Sequence, residues 1–127
     1  MSDLKISVVC CDDSSEKRSQ IVETTLPESR LAELVLDTAE QEVGANEEKG
    51  LHNAAYHPEH GPVTYLQQIN EGGFSVLVGD PENLTDVFFG AGSYVAFIDA
   101  DGPGHASKVG PDGVKRTFRM LKGHIPI

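Results

Sequence analysis

Apolar and polar residues alternate along Leu4-Lys5-Ile6-Ser7-Val8-Val9-Cys10, and this β-rich run predicts a first strand. The polar segment 12–18 reads as a loop, and Gln20 to Thr25 as a returning second strand. From Pro27 onward the period changes. Leu31, Leu34, Val35, Thr38, Ala39 and Glu42 recur at helical spacing. Pro27 sits where a first turn accepts proline, Glu28 complements the helix dipole, and Gly44 provides the stop. The pattern predicts one main amphipathic helix over about 27–43, with Glu33, Asp37 and Glu40 as an acidic ridge on its solvent side.

Residues 45–62 carry no period and read as a long surface loop, a type of segment that is often functional. Val63–Ile69 and Phe74–Val78 flank Asn70-Glu71-Gly72-Gly73, which predicts a hairpin. Asp80-Pro81-Glu82 has the form of a helix cap, so Pro81 to Phe89 is expected to make a short helix. Ser93–Ile98 is the most apolar strand and the expected sheet centre. A turn at 99–104, a strand at 105–109, a turn at 111–113 and a strand at 114–121 follow, and 123–127 is expected to be a loose tail. The fold class predicted is α+β: an antiparallel sheet of about five or more strands with the helix packed on one face.

At 127 residues the chain is expected to form one domain, 1–127, large enough to bury a core without staples. The two cysteines, Cys10 and Cys11, are adjacent and offer no disulfide framework. The first residues lack the basic start and apolar run of a signal peptide, and no stretch reaches membrane-spanning length, so a cytoplasmic location is expected.

Charge sharpens the picture. The net charge is −10, and residues 1–60 hold thirteen acids against five bases. The end of the chain inverts the sign, with Lys108, Lys115, Arg116, Arg119 and Lys122 against Asp112. An acidic front half repels nucleic acid and phospholipid headgroups and attracts basic proteins. Neither a direct nucleic-acid partner nor a membrane is therefore expected. The basic final strand reads as a counter-charge to the acidic helix or as an interface.

Two groups of residues could carry chemistry. Tyr94-Val-Ala-Phe-Ile-Asp99-Ala-Asp101-Gly102 ends a strand in Asp-x-Asp-Gly, which resembles the first motif of haloacid-dehalogenase-like phosphatases and the metal-binding Asp-x-Asp of sugar-nucleotide transferases. Both families need a much longer chain than the 26 residues that follow Asp101. An EF-hand reading starting at Asp99 puts Pro103 and Gly110 where oxygen ligands are required. An acidic turn accounts for the segment without chemistry. The second group is His52, His57 and His60, near Glu47, Glu48 and Glu59. Their spacing matches no metal motif, so neither a metal nor another cofactor is expected. No nucleophile elbow or complete phosphate cradle is present.

The profile is similar to that of cytoplasmic inhibitors, toxin-neutralising immunity proteins and nucleic-acid mimics of bacteria and phages. It leans away from an enzyme. It predicts a non-catalytic acidic module that binds a basic protein, such as a nuclease toxin, through Asp12, Asp13, Glu33, Asp37, Glu40, Glu47 and Glu48. The alternative is a small enzyme, or a ligand- or metal-binding protein. Its site would lie between the 45–62 loop and the 99–105 turn and draw on His52, His57, His60, Asp99, Asp101 and His105.

Overall fold

A computed structural model describes residues 3–52 and 56–126. The chain runs β1 (Asp3–Cys11), β2 (Ser19–Pro27), α1 (Glu28–Leu34), β3 (Val35–Val43), β4 (Glu48–His52), β5 (Tyr56–His57), β6 (Gly61–Asp80), β7 (Asn83–Gly90), β8 (Tyr94–Phe97) and β9 (His105–Lys122). The fold is mostly β, not α+β with a main helix on a sheet. The sheet is mixed rather than antiparallel, because β1 and β8 pair in parallel. Its principal order is β2-β1-β8-β6-β9-β3, with β4 added to β9 and β7 to β6.

The predicted helix stops at Leu34, and its second half is β3. Tertiary pairing overrides the helical period there. β3 lies antiparallel to β9, with Glu42 opposite Lys115, Gln41 opposite Arg116 and Thr38 opposite Arg119, so the acidic segment answers the basic one as a neighbouring strand. The acidic ridge consequently does not form. Glu33 lies on α1, while Asp37 and Glu40, an odd number of residues apart on β3, face opposite sides of the sheet. Leu31 is buried, and Leu34 and Val35 pack half-buried against the same cluster.

Two other expectations fail for a common reason. The predicted hairpin at 70–73 and turn at 111–113 are bends within single long strands, β6 and β9, which pair from Val63↔Lys122 to Leu77↔Ala106. Bulges at Ile69/Glu71 and Gly72/Phe74 kink the ribbon where glycine spares the backbone a clash. Beyond the kink, β7 replaces the expected 81–89 helix, with Val87 and Phe89 directed inward. The 45–62 loop contains β4 and β5, and residues 53–55 of it lie outside the described set.

The bend creates two cores. One gathers Val9, Ile69, Val95 and Phe97 from the first half of the sheet with Phe74, Val76, Phe89 and Val109 from the second, so the inner faces of the two halves meet. The other lies on the opposite face under α1 and the C-terminal segment. Over 123–126 that segment is not loose, and Ile127 lies outside the described residues. Ile125 is buried, its N–H donates to Thr64 Oγ1 at 3.0 Å, and the Thr64 hydroxyl donates to the Gly123 carbonyl at 2.8 Å. Among the described residues, no helix is long and apolar enough to cross a membrane.

Candidate functional site

Where the two inner faces diverge they leave a pocket of about 380 Å³. That lies in the size range of small-molecule sites, about 300–1,000 Å³. β4 contributes Lys49 and His52, β6 Tyr65, Gln67 and Phe74, β8 Phe97, and β9 His105, Ser107, Arg116 and Phe118. The two-residue period of a strand selects them: Tyr65 and Gln67 share one face of β6, and Arg116 and Phe118 one face of β9. Register then sets Tyr65 opposite Phe97 and Gln67 opposite Phe118. On β4, Lys49 pairs with Ser107 and His52 with His105, and the bulge between these pairs turns His52 toward the pocket wall.

Part of that wall belongs to a buried acid–imidazole pair, with His105 in the lining and Asp99 behind it. Asp99 is 0% exposed and His105 3%. His105 Nδ1–H donates to Asp99 Oδ2 at 2.5 Å, and the Ser19 hydroxyl donates to the same oxygen at 2.8 Å. Asp99 Oδ1 has no hydrogen-bond partner among the described residues. The imidazole is held from both sides, stacked on Phe97 at 4.6 Å and against the His52 ring at 4.4 Å between centroids.

The local sequence explains how Asp99 gets there. The Ile98 N–H donates to the Val9 carbonyl, which carries the β1–β8 register one step past Phe97 and leaves Asp99 at the strand's end, near the start of β2. The turn that follows is clamped on the 12–18 loop. Gly102 has φ +71°, and a Cβ there would lie 2.3 Å from the Lys17 carbonyl oxygen, so only glycine permits this approach. Within the 12–18 loop, Asp12 accepts from the N–H and hydroxyl of Ser14, and these bonds hold its carboxyl below the usual range.

The pocket's other polar groups have distinct environments. Arg116 Nε–H donates to Gln41 Oε1 at 3.0 Å, and its guanidinium lies 5.1 Å from the centre of the Phe74 ring. Burial pulls the Arg116 pKa down, from a value so high that it keeps its charge. The buried Oε1 of Gln67 has no partner among the described residues. His52 Nδ1 and the Gly50 carbonyl are 2.7 Å apart. Burial, helped by His105 and Lys49, holds the His52 pKa below the ordinary imidazole value against the pull of Gly50 and Asp99.

That last shift has a thermodynamic consequence. The unfolded chain binds a proton at His52 more readily than the folded one, so stability from a neutral His52 is complete above its unfolded pKa and lost as pH falls toward the lowered folded value. His52→Phe keeps the ring and removes the titration. Its melting temperature should gain on wild type as pH drops from about 7.5 to about 5. A constant difference over that range would show that His52 titrates alike in both states.

Chemically, a carboxylate that accepts Nδ1–H fixes the imidazole tautomer and leaves Nε2 as the basic nitrogen, and it stabilises the imidazolium once a proton is taken. The structure thus joins three sequence candidates, His52, Asp99 and His105. The remainder are elsewhere. His57 and His60 face each other at 4.9 Å between ring centroids, outside the pocket lining. Asp101 is exposed, and its carbonyl accepts from the Cys11 thiol at 3.3 Å. Burial raises the Cys10 pKa. Asp12 and Asp13 lie in the 12–18 loop, Glu47 bonds Val109 through its carbonyl, and Glu48 pairs across from Lys108. Among the described residues, no group of three or more His, Cys, Asp or Glu could hold a metal.

Sequence reasoning missed Ser19, Tyr65, Gln67 and Arg116. A signal existed for two of them. Gln67 interrupts the alternating inward series Val63, Tyr65, Ile69, and Arg116 interrupts Val114, Phe118, Met120. A polar residue at an inward position marks either a buried partner or a cavity. The chain matches no protein-family model, and no curated protein is significantly similar to it.

Proposed function

We propose that this protein is a small-molecule enzyme of the acid–base class, in which His105, oriented by Asp99, moves a proton on a ligand held in the pocket. The observation that carries this reading is the Asp99–His105 pair, at 2.5 Å, on the wall of a ligand-sized cavity. A buried carboxylate with one oxygen unpartnered among the described residues is costly, and a catalytic role is one explanation for such a group. Ser19 takes part as a positioning residue through Asp99, and His52 packs the base against Phe97. Two free thiols suit a reducing cytoplasm as its setting. Docking of a basic protein, such as a nuclease toxin, rests on net charge. Its proposed carboxylates are distributed over two loops, a helix and two strands, so the pocket comes first.

Proton transfer can be tested before the substrate is known. The protein is incubated in D2O with a panel of carbon acids (2-oxo acids, β-keto amides, conjugated enones), and proton NMR follows loss of the exchangeable C–H signal. At least one compound should exchange about 10²–10⁴-fold faster than in buffer, the span of general acid–base catalysis. His105→Phe should abolish the acceleration, and Asp99→Asn should reduce it by misdirecting the tautomer. Exchange at the buffer rate for every compound, or an equal rate with His105→Phe, overturns the reading.

A further inference from the structure

We infer that the pocket's ligand is a planar organic carboxylate, anchored by Arg116 with help from Lys49; the inference rests on the acid–base reading of the same site and names its substrate class. Acids outnumber bases twenty to ten in the chain, yet among the described residues the pocket lining has two permanent cations and no carboxylate. Asp99 stands behind His105 and is fully buried. A strongly acidic protein that keeps one cavity cationic selects anions there and repels them elsewhere.

Arg116 is prepared for this task. Its Nε–H is committed to Gln41 and its plane is supported by Phe74, which leaves the two terminal nitrogens as a fork. Among the described residues, no carboxylate comes within 4.0 Å of Arg116 or Lys49, so neither charge is neutralised by a partner. A guanidinium fork matches the two oxygens of a carboxylate. Among the described lining residues there is no helix N-terminus or glycine-rich loop of the kind that usually cradles phosphate.

The body of the ligand follows from the remaining walls. Tyr65, Phe74, Phe97 and Phe118 line the cavity, with the Tyr65 and Phe118 rings 5.3 Å apart, a surface suited to a flat conjugated skeleton. Gln67 is 9% exposed and its Oε1 lacks a partner among the described residues, so the ligand also carries a hydroxyl or N–H donor directed at β6. With the anion on Arg116, the skeleton spans the cavity toward His105, and the proton moved belongs to the uncharged part of the molecule.

Binding of para-hydroxycinnamate, its primary amide and phenyl phosphate, measured by isothermal titration calorimetry, tests this. The acid should bind and the amide should bind at least about tenfold more weakly, the value of one charge-assisted hydrogen-bond pair. Arg116→Met should weaken the acid by a similar factor while leaving the amide unchanged, and Arg116→Lys, which keeps the charge and loses the fork, should fall between them. Lys49→Met should cost less than Arg116→Met. His57→Phe, outside the pocket lining, should bind the acid as well as wild type. Equal affinity for acid and amide, preference for phenyl phosphate, no binding of any probe, or full binding by a folded Arg116→Met overturns the carboxylate assignment. Uncharged carbon acids exchanging in D2O would then still support proton transfer, so the two readings fail separately.

Discussion

Gly72→Ala should destabilise the protein by about 2–6 kcal/mol, while Gly61→Ala should cost only about 1–2 kcal/mol. Both glycines sit in the left-handed region, at φ +70° and +71°. An alanine therefore pays similar backbone strain at each. Their surroundings differ. Nothing lies within 4 Å of a Cβ built at Gly61, whereas at Gly72 it would lie 2.0 Å from the Gly113 carbonyl oxygen. That oxygen is backbone of the partner strand and cannot rotate away, so the β6–β9 ribbon must open at its bend. Domains of this size are stable by about 5–15 kcal/mol, so the upper part of the range approaches unfolding at moderate temperature. The bend also sets Phe74, two residues on, under the guanidinium of Arg116. Gly72→Ala should thus weaken carboxylate binding under conditions where it remains folded. Urea midpoints measure the first effect and calorimetry the second. Stabilities derived from the two midpoints agreeing within about 0.5 kcal/mol would show that the close approach at Gly72 is not there.

The same glycines show why part of the fold was legible in the sequence and part was not. Strand positions with a period of two were readable: β1, most of β2, and the apolar runs at 63–69, 74–78, 94–97 and 114–121 all lie in strands. Whether Gly72-Gly73 ends a strand or bends one depends on what passes beside it. Gly113 lies some forty positions away in sequence, and no local pattern announces it. The segment 35–43 is a second instance. Its helical spacing is real, but Glu42, Gln41 and Thr38 gain partners only when Lys115, Arg116 and Arg119 arrive as a neighbouring strand. For the site, His52, Asp99 and His105 were candidates by residue type. Their meeting was not readable, because it joins the ends of β4, β8 and β9 through a bulge and a turn docked on a distant loop. Ser19, just before a predicted strand, had no distinguishing feature at all.

Asp99→Ala alone should lower stability by about 3–5 kcal/mol, yet replacing Ser19, Asp99 and His105 together by alanine, leucine and phenylalanine should leave the protein as stable as wild type or more so. The single change strips two buried donors, the Ser19 hydroxyl and His105 Nδ1–H, of their shared acceptor, at a cost of about 1–3 kcal/mol each. It also leaves a gap beside a fully buried position. The triple change removes donors and acceptor together and fills the space with apolar side chains. Phenylalanine at 105 can keep the stack on Phe97, and the unpartnered Asp99 Oδ1 disappears. Buried polar groups replaced as a set by apolar ones of similar volume commonly gain about 1–4 kcal/mol. That asymmetry separates two reasons for the triad to exist. If it serves the fold, the triple variant should be as damaged as the single one. If it serves chemistry, the triple variant should melt at or above the wild-type temperature while losing all deuterium exchange. A triple variant that melts as low as Asp99→Ala would remove the strongest reason for assigning His105 a catalytic role.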